Sequence, residues 1–120
     1  MALTDTCCSI VPYFKVQEDK LDEFKALTER FVEKTKTEAN CMYYGFCFDG
    51  NVAHCREGYQ DAEGLLAHLA NVDELLKEAF KISEIPRLEL HGPADQLDKL
   101  RKPLEALSPQ FFVSHNGFRR

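Results

Sequence analysis

Four side chains between positions 44 and 68 have the types that acid–base chemistry requires: Tyr44, Glu57, Tyr59 and His68. A carboxyl group and an imidazole exchange protons near neutral pH once their surroundings tune them, and phenol hydroxyls donate and accept hydrogen bonds. Together these groups can move protons to and from an aromatic substrate. Whether they meet depends on the elements that carry them.

A β-hairpin is predicted to carry three of the four. Two runs rich in aromatic and small apolar residues, CMYYGFCF and NVAHCREGY, flank an Asp-Gly pair, which is the strongest short-range hairpin signal. A turn made of Asp49 and Gly50 alone would place Tyr44 opposite Cys55. The hairpin then presents its side chains in strict alternation.

Alternation sorts the side chains of the hairpin into two faces, and neither face is polar enough to be fully solvated. We therefore expect helices of the same chain to cover one face and a second subunit to cover the other. The first face carries Met42, Tyr44, Phe46, Phe48, Ala53, Cys55, Glu57 and Tyr59, and the second carries Cys41, Tyr43, Gly45, Cys47, Val52, His54, Arg56 and Gly58.

A strand and a helix are predicted before the hairpin. The strand spans residues 8–16 and contains Pro12, whose missing N–H favours an edge position or a bulge. The helix is predicted from Asp19, which can cap it, to about Ala39. Its apolar side chains follow the three-and-four spacing of one helical face: Leu21, Phe24, Leu27, Phe31, Val32 and Thr35.

After the hairpin, Asp61 is placed to cap a second helix, and polar residues predict a break near Asn71. His68 lies beside the apolar stripe of this helix, so it can approach the sheet. Alternation over residues 85–91 predicts a strand, and a leucine-spaced helix bent at Pro103 and a strand QFFVS follow Pro93. The stripe of the second helix is Leu65, Leu66, Leu69, Val72, Leu76 and Phe80.

Strand, helix, hairpin, helix and strand form the ferredoxin-like split βαβ order, an α+β fold with an antiparallel sheet and helices on one face. The segments VPYFKVQEDKLDEFKALTERFVE, NCMYYGFCF and CREGYQDAEGLLAHL resemble the antibiotic biosynthesis monooxygenase-like family. The last of them matches the family's loose pattern of Glu, one residue, aromatic, one residue, Asp, and a helical His. The resemblance covers about residues 8–91 of a single domain, 1–120, and residues 93–120 form a C-terminal helix and strand extension.

The resemblance implies a dimeric α+β barrel, in which two subunits press their sheets face to face. It places a pocket for a small apolar or aromatic ligand between sheet and helices, lined by Tyr44, Glu57, Tyr59 and His68. Members with known activity include cofactor-independent oxygenases that act on polyketide or quinol-type aromatics, and heme-degrading oxygenases. The homodimer contact would lie on the second face, at Tyr43, Gly45, His54 and Arg56.

The chain departs from the heme-degrading branch, which has a Trp at the aromatic position and an Asn on the first strand. This chain has no Trp and offers Ser9 or Pro12 instead of the Asn, so heme degradation is disfavoured, whereas heme binding through His68 stays open. His54 and Cys55 point to opposite faces and cannot bind one metal ion together. We therefore expect neither a cofactor nor a metal ion.

Composition excludes other classes of function. The formal net charge of −5, with basic residues interleaved among acids, argues against binding to nucleic acids. No apolar run is long enough to span a bilayer, and Met1–Thr6 lacks the pattern of a signal peptide. The five cysteines are expected to be free thiols. These features predict a cytoplasmic protein with no membrane partner.

Each candidate residue also has a structural interpretation. Glu57 can be a buried carboxylate that pairs with Arg56, Arg87 or a helix N-terminus. His68 can be a half-buried helix histidine with one satisfied nitrogen. The two tyrosines can be core aromatics whose hydroxyls reach water.

Two hypotheses from different classes follow. In the first, the protein is a cofactor-free monooxygenase, with His68 or Glu57 as the base and Tyr44 or Tyr59 orienting a phenolic substrate. In the second, it is a non-catalytic ligand-binding or stress-related dimeric module. A cavity of roughly 300 Å³ between sheet and helices would favour the first hypothesis, and bulky side chains filling that space would favour the second.

Overall fold

In a computed structural model, residues 5–120 are described, and they form a five-stranded sheet with four helices on one face. The prediction that there is no signal peptide concerns Met1–Thr6, and most of this segment lies outside the described residues. The elements follow the predicted order. They are β1 (Cys8–Val16), α1 (Leu21–Thr35), β2 (Cys41–Asp49), β3 (Val52–Tyr59), α2 (Ala62–Asn71), α3 (Asp73–Phe80), β4 (Ser83–Gly92), α4 (Ala94–Arg101) and β5 (Gln110–Val113).

The strand order is β2-β3-β1-β4-β5, so the ferredoxin-like α+β prediction is confirmed. The sheet is mixed rather than purely antiparallel, because β5 pairs in parallel with β4. Neither edge strand of this open sheet meets the other, so one chain alone does not close a barrel. The final strand pairs with its own chain.

Pro12 predicted an edge position or a bulge, and the edge position is wrong, since β1 is the central strand. Its pairing with β4 does shift in register between Tyr13 and Lys15, directly after Pro12. The central position is tolerated because the ladder to β3 lapses between Ser9 and Tyr13, where Pro12 has no N–H to donate. On its other side β1 continues its pairing with β4, and Pro12 lies opposite Leu88.

The hairpin is present, but its register differs from the predicted one by two residues. Asp49 pairs with Val52, so the turn consists of Gly50 and Asn51, and Tyr44 lies opposite Glu57. Gly50 has a φ of +58° and Asn51 is not among the positive-φ residues, which fits a type II′ turn with Gly at the first central position. A shift of two residues preserves alternation, so the predicted faces are otherwise unchanged.

A bulge at the start of β2 changes the face of one predicted residue. The register shifts between Cys41 and Tyr43, and Cys41 pairs with Tyr59 on the helix-covered face, where it packs against the core. Tyr43 lies on the opposite face against Gly58. A Cβ atom at position 58 would overlap the end of the Tyr43 ring, which would have to turn away from any larger residue there.

The first helix begins later and ends earlier than predicted. Residues 18–20 form a 3₁₀ turn, and α1 has Lys20 at its N-cap without a side-chain hydrogen bond, so the predicted Asp19 cap is wrong. The helix ends at Thr35, and the chain then turns through residues 36–40. This turn carries Glu38 toward α2.

The second helical segment has the predicted cap and break. Asp61 accepts a hydrogen bond from the backbone N–H of Gly64 at 2.8 Å, and the helix divides at Val72 into α2 and α3. Phe80, predicted within the buried stripe, is 45% exposed at the end of α3. No helix in residues 5–120 is both long enough and apolar enough to cross a membrane.

Two apolar clusters lie between the sheet and its helices. The first cluster joins β1, β3 and β4 to α2 and α4, and includes Leu65, Leu90 and Leu100. The second joins β1 and β3 to α1 and α3, and includes Phe24 and Phe31. The candidate site lies where the two clusters meet.

Candidate functional site

A cavity of about 50 Å³ lies between the sheet and the helices, with walls contributed by both apolar clusters. Its lining is almost entirely hydrocarbon, interrupted by Glu57, His68 and Tyr44. Phe80 and Leu107, which are 45% and 50% exposed, lie where the lining reaches the surface. The volume is well below the roughly 300 Å³ of a typical ligand pocket.

Glu57 projects from β3 into this cavity and is only 4% exposed. Its Oε1 accepts a hydrogen bond from the Tyr59 hydroxyl at 2.5 Å and lies 3.4 Å from Nε2 of His68. Burial raises the pKa of Glu57 to about 7, and the hydrogen bonds from Tyr59 and Cys55 oppose that shift. Glu57 can therefore act as an acid or as a base near neutral pH.

His68 reaches the cavity from α2 and is 2% exposed. Its Nδ1 lies 2.9 Å and 3.1 Å from the two carboxylate oxygens of Glu38. Burial lowers the pKa of His68, while the Glu38 carboxylate opposes that shift, so the ring is neutral at neutral pH. Since a carboxylate accepts hydrogen bonds, the geometry assigns the proton to Nδ1 and leaves the Nε2 lone pair toward Glu57.

Glu38 is the residue of this site that the sequence did not reveal. It lies in the turn after α1, and its Oε2 accepts a hydrogen bond from Asn71 Nδ2 at 2.8 Å. In the sequence it follows the apolar stripe of a helix expected to continue to Ala39, where a solvated carboxylate is the ordinary interpretation. Only the early end of α1 would have indicated its inward position.

The two tyrosines flank the imidazole. The ring centroids of Tyr44 and Tyr59 lie 5.2 Å and 5.0 Å from that of His68. Burial raises the pKa of both phenols far above their usual range, so both stay protonated and can donate hydrogen bonds. The structure thus brings all four predicted residues together, with Tyr59 bonded to Glu57 and Tyr44 beside His68. Only three of them line the cavity, because Tyr59 is fully buried behind Glu57.

The partners proposed for a purely structural Glu57 are not those observed. Arg87 pairs with Glu89, and Arg56 lies over the Tyr43 ring, 5.9 Å from its centroid, on the opposite face of the sheet. The partners of Glu57 are instead a phenol and a neutral imidazole, so its charge is not offset by a neighbouring cation. Within residues 5–120, no three metal-ligating side chains are arranged to hold an ion.

Solved structures with the same fold place this chain among known proteins. The crystal structure of MupZ from Pseudomonas fluorescens has a TM-score of 0.96 and 48% sequence identity, covering 100% of this chain and 94% of MupZ. A protein from Nitrosomonas europaea that is named as an antibiotic biosynthesis monooxygenase has a TM-score of 0.69 and 18% sequence identity, covering 78% of this chain and 96% of that protein. One from Caulobacter crescentus has a TM-score of 0.65 at 20% identity, over 72% and 88%.

No family model matches the chain, and no curated protein sequence matches it. The fold is nevertheless that of the antibiotic biosynthesis monooxygenase-like proteins, as the resemblance predicted. With 48% identity over its whole length, the chain belongs to the same family as MupZ within that fold class.

Proposed function

We propose that the protein is a cofactor-independent monooxygenase that acts on a small aromatic substrate, of quinol or polyketide type, in the cavity between sheet and helices. The observation that carries the proposal is Glu57, a carboxyl with a pKa raised to about 7, buried in hydrocarbon beside a neutral His68. The names of the structures from Nitrosomonas europaea and Caulobacter crescentus support oxygenation as the reaction class.

In this proposal the protein supplies proton transfer and the substrate supplies the electrons. Glu57, with His68 beside it, removes a proton from the substrate, and the resulting carbanion or phenolate is the species that reacts with dioxygen. For an anthrone, one methylene becomes a carbonyl, and its four electrons reduce dioxygen to that carbonyl oxygen and one water. The apolar walls suit an uncharged dioxygen molecule, and Tyr44, which lines the cavity, would orient a phenolic oxygen of the substrate.

The small cavity favours the second hypothesis, a non-catalytic module. A space of about 50 Å³ does not hold an aromatic substrate, so the lining has to open before one can enter, and Phe80 and Leu107 are its most exposed members. Both side chains are about half exposed, and a change of rotamer at either needs no repacking of the core. Ligand binding therefore has to be measured separately from turnover.

Oxygen uptake with anthrones and quinols tests the proposal. We expect uptake by the parent protein and a loss of about 100-fold or more in Glu57→Gln and His68→Ala, since proton transfer by one positioned group contributes that much. Glu33→Gln and His115→Ala, which change exposed residues far from the cavity, are the matched controls. Substrate consumption without oxygen uptake would replace oxygenation by acid–base chemistry alone, and neither binding nor turnover would remove the enzyme hypothesis.

We also propose that the protein is a homodimer formed through the sheet face opposite the helices, at Tyr43, Gly45, His54 and Arg56. That face combines exposed aromatic and charged side chains, and Tyr43 is 43% exposed on it. All five cysteines are free thiols, which supports a reducing compartment such as the cytoplasm.

A further inference from the structure

We propose that Glu38 is a positioning residue of the site, which fixes the tautomer of His68 and stabilises the imidazolium formed when His68 takes a proton from Glu57. The inference rests on the proposed function, in which Glu57 exchanges protons with a substrate. Glu38 thereby joins His68 and Glu57 in a row of three groups. The His68 imidazole lies in the middle, with the Glu38 carboxylate on one side and the Glu57 carboxyl group on the other.

The distances support this order. The two carboxyl groups lie on opposite nitrogens of one ring: Glu38 Oε2 is 2.9 Å from Nδ1, and Glu57 Oε1 is 3.4 Å from Nε2. A carboxylate at Nδ1 leaves Nε2 as the acceptor facing Glu57. Without Glu38 the other tautomer would place an N–H toward Glu57, and Nε2 could not take its proton.

Glu38 is itself held in place. Asn71, at the end of α2, donates a hydrogen bond from Nδ2 to Glu38 Oε2 at 2.8 Å, and the backbone N–H of Glu38 donates to the carbonyl of Thr35 at 2.9 Å. The Glu38 side chain is 12% exposed, compared with 74% for Glu33 on α1. A glutamate that merely solvated the end of a helix would not be buried and bonded in this way.

Among residues 5–120, Glu38 is the acidic side chain that lies opposite Glu57 across the His68 ring. The titratable groups facing His68 are Glu38 from the turn after α1, Glu57 and Tyr59 from β3, and Tyr44 from β2. No Lys or Arg in residues 5–120 forms an ion pair with either carboxyl group. An imidazolium at this place is therefore stabilised by carboxylates on both sides.

The step is a proton transfer alone. The proton leaves Glu57 Oε1 for His68 Nε2, while the Nδ1 proton stays hydrogen-bonded to Glu38. The products are a Glu57 carboxylate, free to act as a base, and an imidazolium. After Glu57 has accepted a proton from the substrate, it passes that proton to the product in the cavity. His68 Nε2 then returns its own proton to Glu57 Oε1, which restores the neutral Nδ1–H ring.

The test measures His68 directly by NMR in the parent protein and in Glu38→Gln, which has nearly the same shape without the charge. We expect the parent to show the Nδ1–H tautomer in its ring ¹⁵N shifts, and Glu38→Gln to lower the pKa of His68 by about one unit. Oxygen-uptake activity should fall by about 10- to 100-fold, the range for losing one charge-assisted hydrogen bond, and the pH profile should shift with the pKa.

Glu33→Gln is the matched control. It should change neither the pKa of His68 nor the oxygen uptake, since the Glu33 carboxylate pairs with Lys36 on the surface. Asn71→Ala, which releases Glu38 but keeps its charge, should shift the pKa of His68 in the same direction by less. An Nε2–H tautomer in the parent, or an unchanged His68 pKa in Glu38→Gln, would overturn the inference. Because the NMR readings need no substrate, they decide the role of Glu38 even if no oxygenation is detected.

Discussion

At the scale of single residues, the site is defined by the carboxyl group of Glu57, which apolar side chains surround on most sides. Glu57 is 4% exposed, and its nearest polar groups are the Tyr59 hydroxyl and the His68 ring. Neither carries a positive charge at neutral pH, so the ionised form of Glu57 is disfavoured in the folded protein. This preference links the stability of the fold to pH.

We expect the contribution of Glu57 to the free energy of unfolding to decrease as the pH rises from about 4.5 to about 7. The pKa of Glu57 is raised from 4.5 to about 7 in the folded state, so the native protein binds this proton more tightly than the unfolded chain does. The stabilisation is complete below pH 4.5 and is lost as the pH rises through 7. At roughly 1.4 kcal/mol per pKa unit, the change is about 3 kcal/mol.

Denaturant unfolding at several pH values, compared between the parent and Glu57→Gln, measures this contribution. The lowered pKa of His68 acts with the opposite sign below pH 6.5. Because His68 lies 3.4 Å from Glu57, its titration changes in Glu57→Gln, so NMR has to follow His68 in both proteins and its contribution has to be subtracted. If the two proteins show the same dependence on pH between 4.5 and 7, the carboxyl of Glu57 is ionised in the fold and the prediction is wrong.

Three of the site residues follow from strand alternation, and His68 follows from its place beside a helical stripe. Tyr44, Glu57 and Tyr59 share a face because a register shift of two residues leaves alternation intact. Glu38 could not be predicted in this way. Its place depends on where α1 stops and on a partner 30 positions further along the chain, and neither is encoded in a local pattern.

At the scale of secondary structure elements, the contact between β2 and β3 depends on one missing side chain. The Tyr43 ring occupies the space that a Cβ at Gly58 would take, whereas nothing lies within 4 Å of a Cβ at Gly45. We expect Gly58→Ala to lower the free energy of unfolding by about 1 kcal/mol, the low end of the cost of overpacking, because the Tyr43 ring is 43% exposed and can turn away. Urea unfolding measures the loss.

Gly45→Ala is the control for this substitution, since it makes the same chemical change in the neighbouring strand with open space around it. Adding Tyr43→Ser to Gly58→Ala removes the ring and should restore most of the loss. Equal effects of the two glycine substitutions would mean that strand propensity, and not the Tyr43 contact, determines the result.

The C-terminal extension is part of the core. Leu97, Leu100 and Leu104 are buried in the first apolar cluster together with Leu65 and Leu90. We expect Leu100→Ala to cost about 2–5 kcal/mol, the range for removing a buried leucine side chain. Leu107→Ala, at a position 50% exposed, should cost less than about 1 kcal/mol.

Thermal or urea unfolding of these two leucine variants shows whether α4 belongs to the core or packs loosely on the surface. A cost below about 1 kcal/mol for Leu100→Ala would assign α4 to the surface. The leucine spacing predicted the helix, but the parallel pairing of β5 with β4 could not be predicted from QFFVS, because a strand carries no local signal for the direction of its neighbour.

At the scale of the whole molecule, the sheet has one face covered by helices and one face uncovered in the single chain. We expect sedimentation at micromolar concentration to give the mass of a dimer, with a total buried surface near 1,600 Å². His54→Asp, in the middle of β3, should shift the protein toward monomer, because a two-fold interface places the new charge on both copies.

Glu33→Gln on the helix side is the control and should leave the sedimentation unchanged. A monomer at high micromolar concentration in the parent protein would exclude the two-subunit barrel. The sequence predicted the uncovered face from its apolar and aromatic content, but it contains no signal for the symmetry of an assembly.

The cavity lies where two separately packed clusters meet, and this position has a consequence for motion. The cavity is lined by side chains that belong to both clusters, and we expect it to widen when either cluster loosens locally. A molecule seated in the cavity would hold both clusters against the sheet. Backbone amides of α1 and of α2, which line the cavity through Phe31 and through His68 and Leu69, should then exchange with deuterium more slowly together when a ligand is bound.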